Sequence, residues 1–176
     1  IPVLMADVVN QTEHSELDGL SELLATSWQQ SQSLAPVSRV RTFDILREMG
    51  KTNVARVDEQ LAREIAKHAD IPILALTHVS KFGETLTVDM KLLDSKTGDY
   101  RFTAREKGES LASVLGMIDK LSATTLAEYA TESSDSASKS AIVQLTTGDL
   151  QAYEHYFRGL THWAGHEFEL AFPEWE

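Results

Sequence analysis

Asp7 and Asn10 stand just after the apolar run Val3-Leu4-Met5, and with Val8 and Val9 the pattern is that of a strand buried on both faces. A carboxylate and an amide at such a strand end can face a ligand crevice, because open α/β sheets bind ligands outside the carboxyl ends of their strands. Asp7 and Asn10 are therefore the candidate small-molecule binding residues. The plainer use of the same pair is to bond backbone groups of the turn at Asn10-Gln11-Thr12, and it is the favoured one.

His155, His162 and His166 lie seven and four residues apart and would share one face of an unbroken helix, where a borderline metal could bind. Gly165 interrupts that helix, so the spacing predicts packing and no metal ligand is assigned. His14, His68 and His78 are isolated, with surface or cap roles expected. Glu84, Asp89, Asp94 and Asp99 form an acidic hairpin face without the one-three-five ligand spacing of a calcium loop. Arg39, Arg41 and Arg47 cluster near the second strand and are expected to be solvated or to pair with those acids. There is no Gly-rich phosphate loop, no kinase HRD or DFG triplet, no G-x-S-x-G elbow and no H-E-x-x-H helix. Cysteine is absent, which removes disulfides, thiolate metal sites and thiol nucleophiles and leaves the compartment open. No catalytic residue and no cofactor are assigned.

Trp28, Trp163 and Trp175 fall at helical packing positions. Trp163 and Phe168 flank a turn between two helices, and with Trp175 they are the candidate protein-interaction residues. This end is expected to self-associate, to meet a protein partner, or to dock onto the preceding domain.

The elements that must hold these residues can be read from periodicity. A helix follows the first strand, with Leu17, Leu20, Leu23, Leu24 and Trp28 at spacings of three and four and Ser15 or Asp18 as its cap. Val37 and Val40 give a short second strand; Phe43, Ile45, Leu46 and Met49 start a helix ended by Gly50, and Asp58 caps the next. From Ile73 the pattern turns to strands: Ile73 to Val79, then Leu86, Val88, Met90 and Leu92 in alternation, then Tyr100, Phe102 and Ala104. Ser110 caps a long helix from Leu111 to Tyr129. The expected fold is α/β, a mixed β-sheet with helices packed on it in the order β-α-β-α-α-β-β-β-α, followed by an α-helical segment. Residues 1–130 form the module, the Ser-rich stretch 131–140 a linker, and 141–176 a second unit that starts a helix near Asp149.

The chain carries 16 Lys and Arg against 27 Asp and Glu, a net charge of -11, so nucleic acid and anionic membrane surfaces are disfavoured partners. No stretch approaches the roughly 20 apolar residues that span a bilayer, so no direct membrane contact is expected of these residues. The chain opens on Ile1 without an initiator Met and stops at Trp175-Glu176 within a helical pattern. A piece of a longer protein is expected, with room upstream for a targeting segment or anchor.

Gly159, Ala171 and Trp175 resemble the small, small and aromatic positions of a tetratricopeptide repeat over its first two thirds, with Pro173 departing from the pattern. The first 130 residues resemble the TolB amino-terminal-domain-like module of bacterial multidomain signalling proteins. The matching stretches are Ala6-Asp7-Val8-Val9-Asn10-Gln11-Thr12, Leu23-Leu24-Ala25, Val37-Ser38-Arg39, Ala62-Arg63-Glu64-Ile65-Ala66, Ile73-Leu74, Leu92-Leu93-Asp94 and Thr97-Gly98. Thr146-Thr147, Leu150-Gln151-Ala152-Tyr153 and Arg158-Gly159-Leu160 resemble the junction by which such modules enter a tetratricopeptide array. The resemblance implies a non-catalytic sensory or protein-interaction region, placed beside a serine/threonine kinase domain and a membrane span or beside a DNA-binding domain. It further implies an extracytoplasmic, periplasmic location when a span is present, with the cytoplasm as alternative. The competing reading is a small-molecule-binding module using Asp7 and Asn10, and an enzyme with an unrecognised site ranks last.

Overall fold

A computed structural model describes residues 1–29, 31–129 and 149–175. The chain begins with β1 (Pro2–Met5), β2 (Val9–Gln11), α1 (Leu20–Trp28), β3 (Ala35–Pro36), α2 (Arg39–Glu48) and α3 (Glu59–His68). There follow β4 (Ile73–Phe82), β5 (Thr85–Asp94), β6 (Tyr100–Gly108), α4 (Val114–Tyr129), and two further helices, α5 (Leu150–Ala164) and α6 (Phe168–Trp175). The sheet runs β3-β1-β4-β5-β6. β1 lies parallel to both β3 and β4, while β4, β5 and β6 are antiparallel neighbours, so the sheet is mixed as the pattern predicts.

The opening apolar run is two strands, not one. Met5 pairs with Ala75 and Val9 with His78, so β1 and β2 lie in tandem along β4, and the chain leaves the sheet at 6–8 between them. In that detour the Asp7 amide donates to the Val57 carbonyl at 2.8 Å. Alternation then sorts the core. Val3 and Met5 face a cluster with Leu20, Leu23, Leu24 and Trp28 of α1 and Met117, Ile118 and Leu121 of α4. Leu4 and Ala6 face the opposite cluster, with Phe43, Ile45 and Leu46 of α2 and Ala62, Ile65 and Ala66 of α3. Each fully buried Leu or Ile is worth about 1.5–3 kcal/mol of transfer free energy, so both layers stabilise the sheet and fix its register.

Several local expectations are corrected. Neither Ser15 nor Asp18 caps α1: Ser15–Leu17 make one 3-10 turn, and α1 starts after Gly19 with no side-chain cap. Val40 belongs to α2, because the Ser38 hydroxyl accepts the Arg41 amide at 3.2 Å and begins the helix at Arg39. Asp58 caps α3 by accepting the Leu61 amide at 2.8 Å, as expected. Asp149 caps α5 in the same way, at 2.9 Å from the Gln151 amide. Pro173 lies inside α6, where it forfeits the bond to the Glu169 carbonyl only two residues before the helix ends. The stretch 131–140 and the segment from Ala141 to Thr147 lie outside the described residues.

α5 and α6 form a helical hairpin turned by Gly165, His166 and Glu167. Ala171 is fully buried between the two helices. Gly159 leaves room for the Trp175 indole, which would collide with any added Cβ. The hairpin packs against α2 and the turn at Ser15–Leu17.

Candidate functional site

Asp7 sits at the detour after β1, buried to 8% exposure, and its carboxylate is bound to Arg39 at the start of α2. The two guanidinium contacts are 2.6 and 3.3 Å, and the Val57 amide donates to the same carboxylate at 2.7 Å. Arg39 is itself 8% exposed. A charge pair this deep persists because each partner satisfies the other, and the bidentate form adds orientation to attraction. Asn10 is a local device: its amide nitrogen donates to the His14 carbonyl at 2.8 Å and to Asp18 at 2.7 Å. Its oxygen accepts from the Thr12 amide at 3.0 Å and the Thr12 hydroxyl at 2.7 Å. All four hydrogen-bonding positions of the amide are used. The structure thus places Asp7 in the detour before β2 and Asn10 within β2, with separate partners.

The sequence reading missed the rest of this cluster. Glu22 on α1 stands near the Asp7–Arg39 pair; burial pushes its carboxyl above the ordinary value, with Arg39 opposing and Asp7 adding to the rise. From α5, Tyr153 and Phe157 enter the α1-side core at 3% and 8% exposure. The Phe157 ring lies 4.7 Å from the Arg39 guanidinium carbon and Phe43 lies 5.5 Å from it, a cation held between two aromatic faces. Burial likewise raises the Tyr153 phenol; the hydroxyl lies near Thr26 but makes no hydrogen bond, and the Arg39 Nε is also buried without a partner. Arg39 was noted only as one of three arginines, because nothing local marks a partner 32 residues away.

Arg39, Arg41 and Arg47 do not pair with the acidic hairpin. Arg41 meets Glu48 at 2.9 Å, and Arg47 meets Asp44 and donates to the Ala164 carbonyl at 3.1 Å. Two of the hairpin acids are instead paired from the neighbouring strand: Arg105 stands directly opposite Asp89, and Arg101 bonds Asp94. Asp94 also accepts the Lys96 and Thr97 amides at 2.8 and 3.0 Å. The Arg101 side chain and those amides hold the Asp94 carboxyl down to about 2.

On the outer face of the hairpin the structure brings Trp163, Phe168 and Trp175 together. Trp163 packs edge-on to Phe168 at 4.8 Å and lies 6.0 Å from Trp175, whose indole N–H donates to the Tyr156 carbonyl at 3.3 Å. The three remain about 40% exposed, and Leu170 and Phe172 beside them are more than half exposed. Phe172 also packs on Trp163, at 6.3 Å. The spacing of Phe168, Phe172 and Trp175 at i, i+4 and i+7 is the signal that would have found the whole stripe. His155 binds Glu174 at 2.8 Å, His162 binds Glu167 at 2.7 Å, and His166 stacks on Phe168. Among the described residues no three His, Asp or Glu side chains are placed to hold a metal ion. Nor is any described helix long and apolar enough to cross a membrane.

No protein-family model matches the chain, and no curated protein sequence matches it significantly. Solved structures do match its shape. The C-terminal domain of LpoB from Escherichia coli is similar with a TM-score of 0.55 at 17% identity, over 62% of this chain and 82% of that one. The same domain from Salmonella enterica gives 0.51 at 16% identity, over 62% and 82%. Lipoprotein GNA1162 from Neisseria meningitidis gives 0.52 at 13% identity, over 74% of this chain and 99% of that one. Neither a tetratricopeptide array nor a kinase is among these three. At such identities the likeness is one of architecture, and the chain has the mixed α/β fold of the LpoB C-terminal domain and of lipoprotein GNA1162.

Proposed function

We propose that this chain is a non-catalytic protein-interaction module in which the α/β body presents the α5–α6 hairpin, and that Trp163, Phe168 and Trp175 form the docking surface. The observation that carries this reading is the aromatic stripe itself: large apolar side chains left half exposed on a hairpin whose α5 packs into the body and whose α6 packs on α5. Residues 149–175 carry five acids against one Arg, which favours a partner with a basic border over a second copy of this acidic chain at the same face. The buried Ala171 and the Gly159–Trp175 contact support reading the hairpin as the first helix pair of tetratricopeptide type. A lipoprotein among the structures of the same fold supports a membrane-anchored, extracytoplasmic setting for the module. A kinase domain elsewhere in the full protein is no part of this reading.

The test compares the wild-type chain with Phe168→Ser/Phe172→Ser as bait in extracts of the native cell. Both rings also pack on Trp163, so each change should cost about 0.5–1.5 kcal/mol, and the variant is checked for folding by circular dichroism. The module reading expects proteins retained by the wild type to be lost from the variant; an unchanged retained set would remove the aromatic stripe from the account.

A further inference from the structure

Helix α5 lies where an open α/β sheet ordinarily receives a ligand. Asp7 follows β1 and Arg39 follows β3, so both stand beyond the carboxyl ends of neighbouring parallel strands, where α1 covers one face of the sheet and α2 the other. Across this strand end run Tyr153 and Phe157, one helical turn apart. We propose that the strand-end groove is a helix-receiving site, filled within one chain by its own α5, and that it also accepts α5 from a second copy, giving an exchanged dimer.

Three features show that the groove is shaped for this helix. Gly19 has φ -84° and ψ 1°, angles that any residue adopts, so its conformation does not require glycine. The space favours it: a Cβ there would stand 3.1 Å from the Phe157 Cβ and 3.2 Å from the Tyr153 ring, so the two side chains would have to give way slightly. Arg39 supplies a cationic face to Phe157, and Arg47 reads the far end of the helix by donating to the carbonyl of Ala164, which is 1% exposed. The recognised pattern is two aromatics at i and i+4 and a small residue seven positions on. Within this chain, α5 fulfils it.

Two further features allow exchange. The Tyr153 hydroxyl and the Arg39 Nε are buried at this seam without partners, so docking carries uncompensated desolvation. The hairpin's main contacts with the body run through α2 and the turn at Ser15–Leu17, and the same contacts can form between two copies without loss. Twenty residue steps separate Tyr129 from Asp149, a contour of at most roughly 70 Å, so chain length does not confine α5 to its own body.

Two complementary full-length variants test this. Gly19→Leu blocks the groove and leaves α5 intact; Tyr153→Ala/Phe157→Ala removes the anchors and leaves the groove intact. Exchange predicts that each alone stays monomeric by light scattering and that the mixture yields a one-to-one heterodimer. Monomers in the mixture, with both variants folded by circular dichroism, overturn it. Should either variant unfold, the milder pair Gly19→Ala and Phe157→Leu replaces them. The wild type gives a separate readout. After concentration to the millimolar range it should contain a dimer that persists on dilution and leaves Trp163 and Trp175 open to acrylamide, with Trp28 silent because it is fully buried. A dimer in which those two are protected would put the contact on the aromatic stripe, and no dimer at all would also contradict exchange.

Discussion

At the scale of single residues the decisive pair is Asp7 and Arg39, because it ties the end of β1 to the start of α2 and sets the cation over which Phe157 lies. Asp7→Asn leaves the Arg39 charge buried without its counterion, and breaking such a pair costs about 3–5 kcal/mol. Urea unfolding should show the loss as a lower midpoint. Glu22 acts in the opposite sense. Its carboxyl titrates above the ordinary 4.5 in the folded chain, so the folded state holds its proton longer than the unfolded one. The associated stability is fully present below 4.5 and is lost as pH rises through the folded value. Glu22→Gln should therefore raise the melting temperature at neutral pH and flatten that part of the stability profile; a lower melting temperature would contradict the burial of this carboxyl. Sequence made Asn10 legible as a turn residue because its partners, His14, Thr12 and Asp18, lie within eight positions. It marked Asp7 by position yet could not supply Arg39, since that contact exists only once β3 has paired beside β1.

At the scale of elements, the β5–β6 connection rests on Asp94, which takes the Arg101 side chain and two turn amides. With its carboxyl held down to about 2 against an ordinary 3.8, its contribution is present above pH 3.8 and fades as pH falls toward 2. Hydrogen exchange of the Lys96 and Thr97 amides should accelerate in that window before the strands themselves open, and Asp94→Asn should remove the transition. The hairpin makes its own prediction: Gly159→Ala drives a methyl into the Trp175 indole, so α6 must shift. Tryptophan emission should move to longer wavelength while the far-ultraviolet dichroism holds. Helices and the three antiparallel strands were readable because their apolar periods of 3.6 and 2 span many residues. The two-residue β3 and the split of β1 from β2 were not, since so short a run carries no period: β3 is fixed only by pairing with β1, and β2 only by pairing with β4.

At the scale of the molecule, the sheet separates two cores, and α5 reaches both: Tyr153 and Phe157 join the α1 side and Ala164 joins the α2 side. That bridging could not be read from α5 alone, whose apolar positions fit packing against any neighbour, nor could the strand order, since the crossover that places β4 beside β1 leaves no local mark. The body thereby holds one face of the hairpin and turns the other outward. The direct measurement is site-specific photo-crosslinking in the native cell, with the photoreactive residue at Phe172 on the stripe or at Phe82 on the β4–β5 turn. Phe82 is the more exposed of the two, 92% against 54%, but stands alone. The interaction reading predicts discrete higher-mass adducts from position 172 and none from position 82. Adducts from neither position, or equally from both, would contradict it.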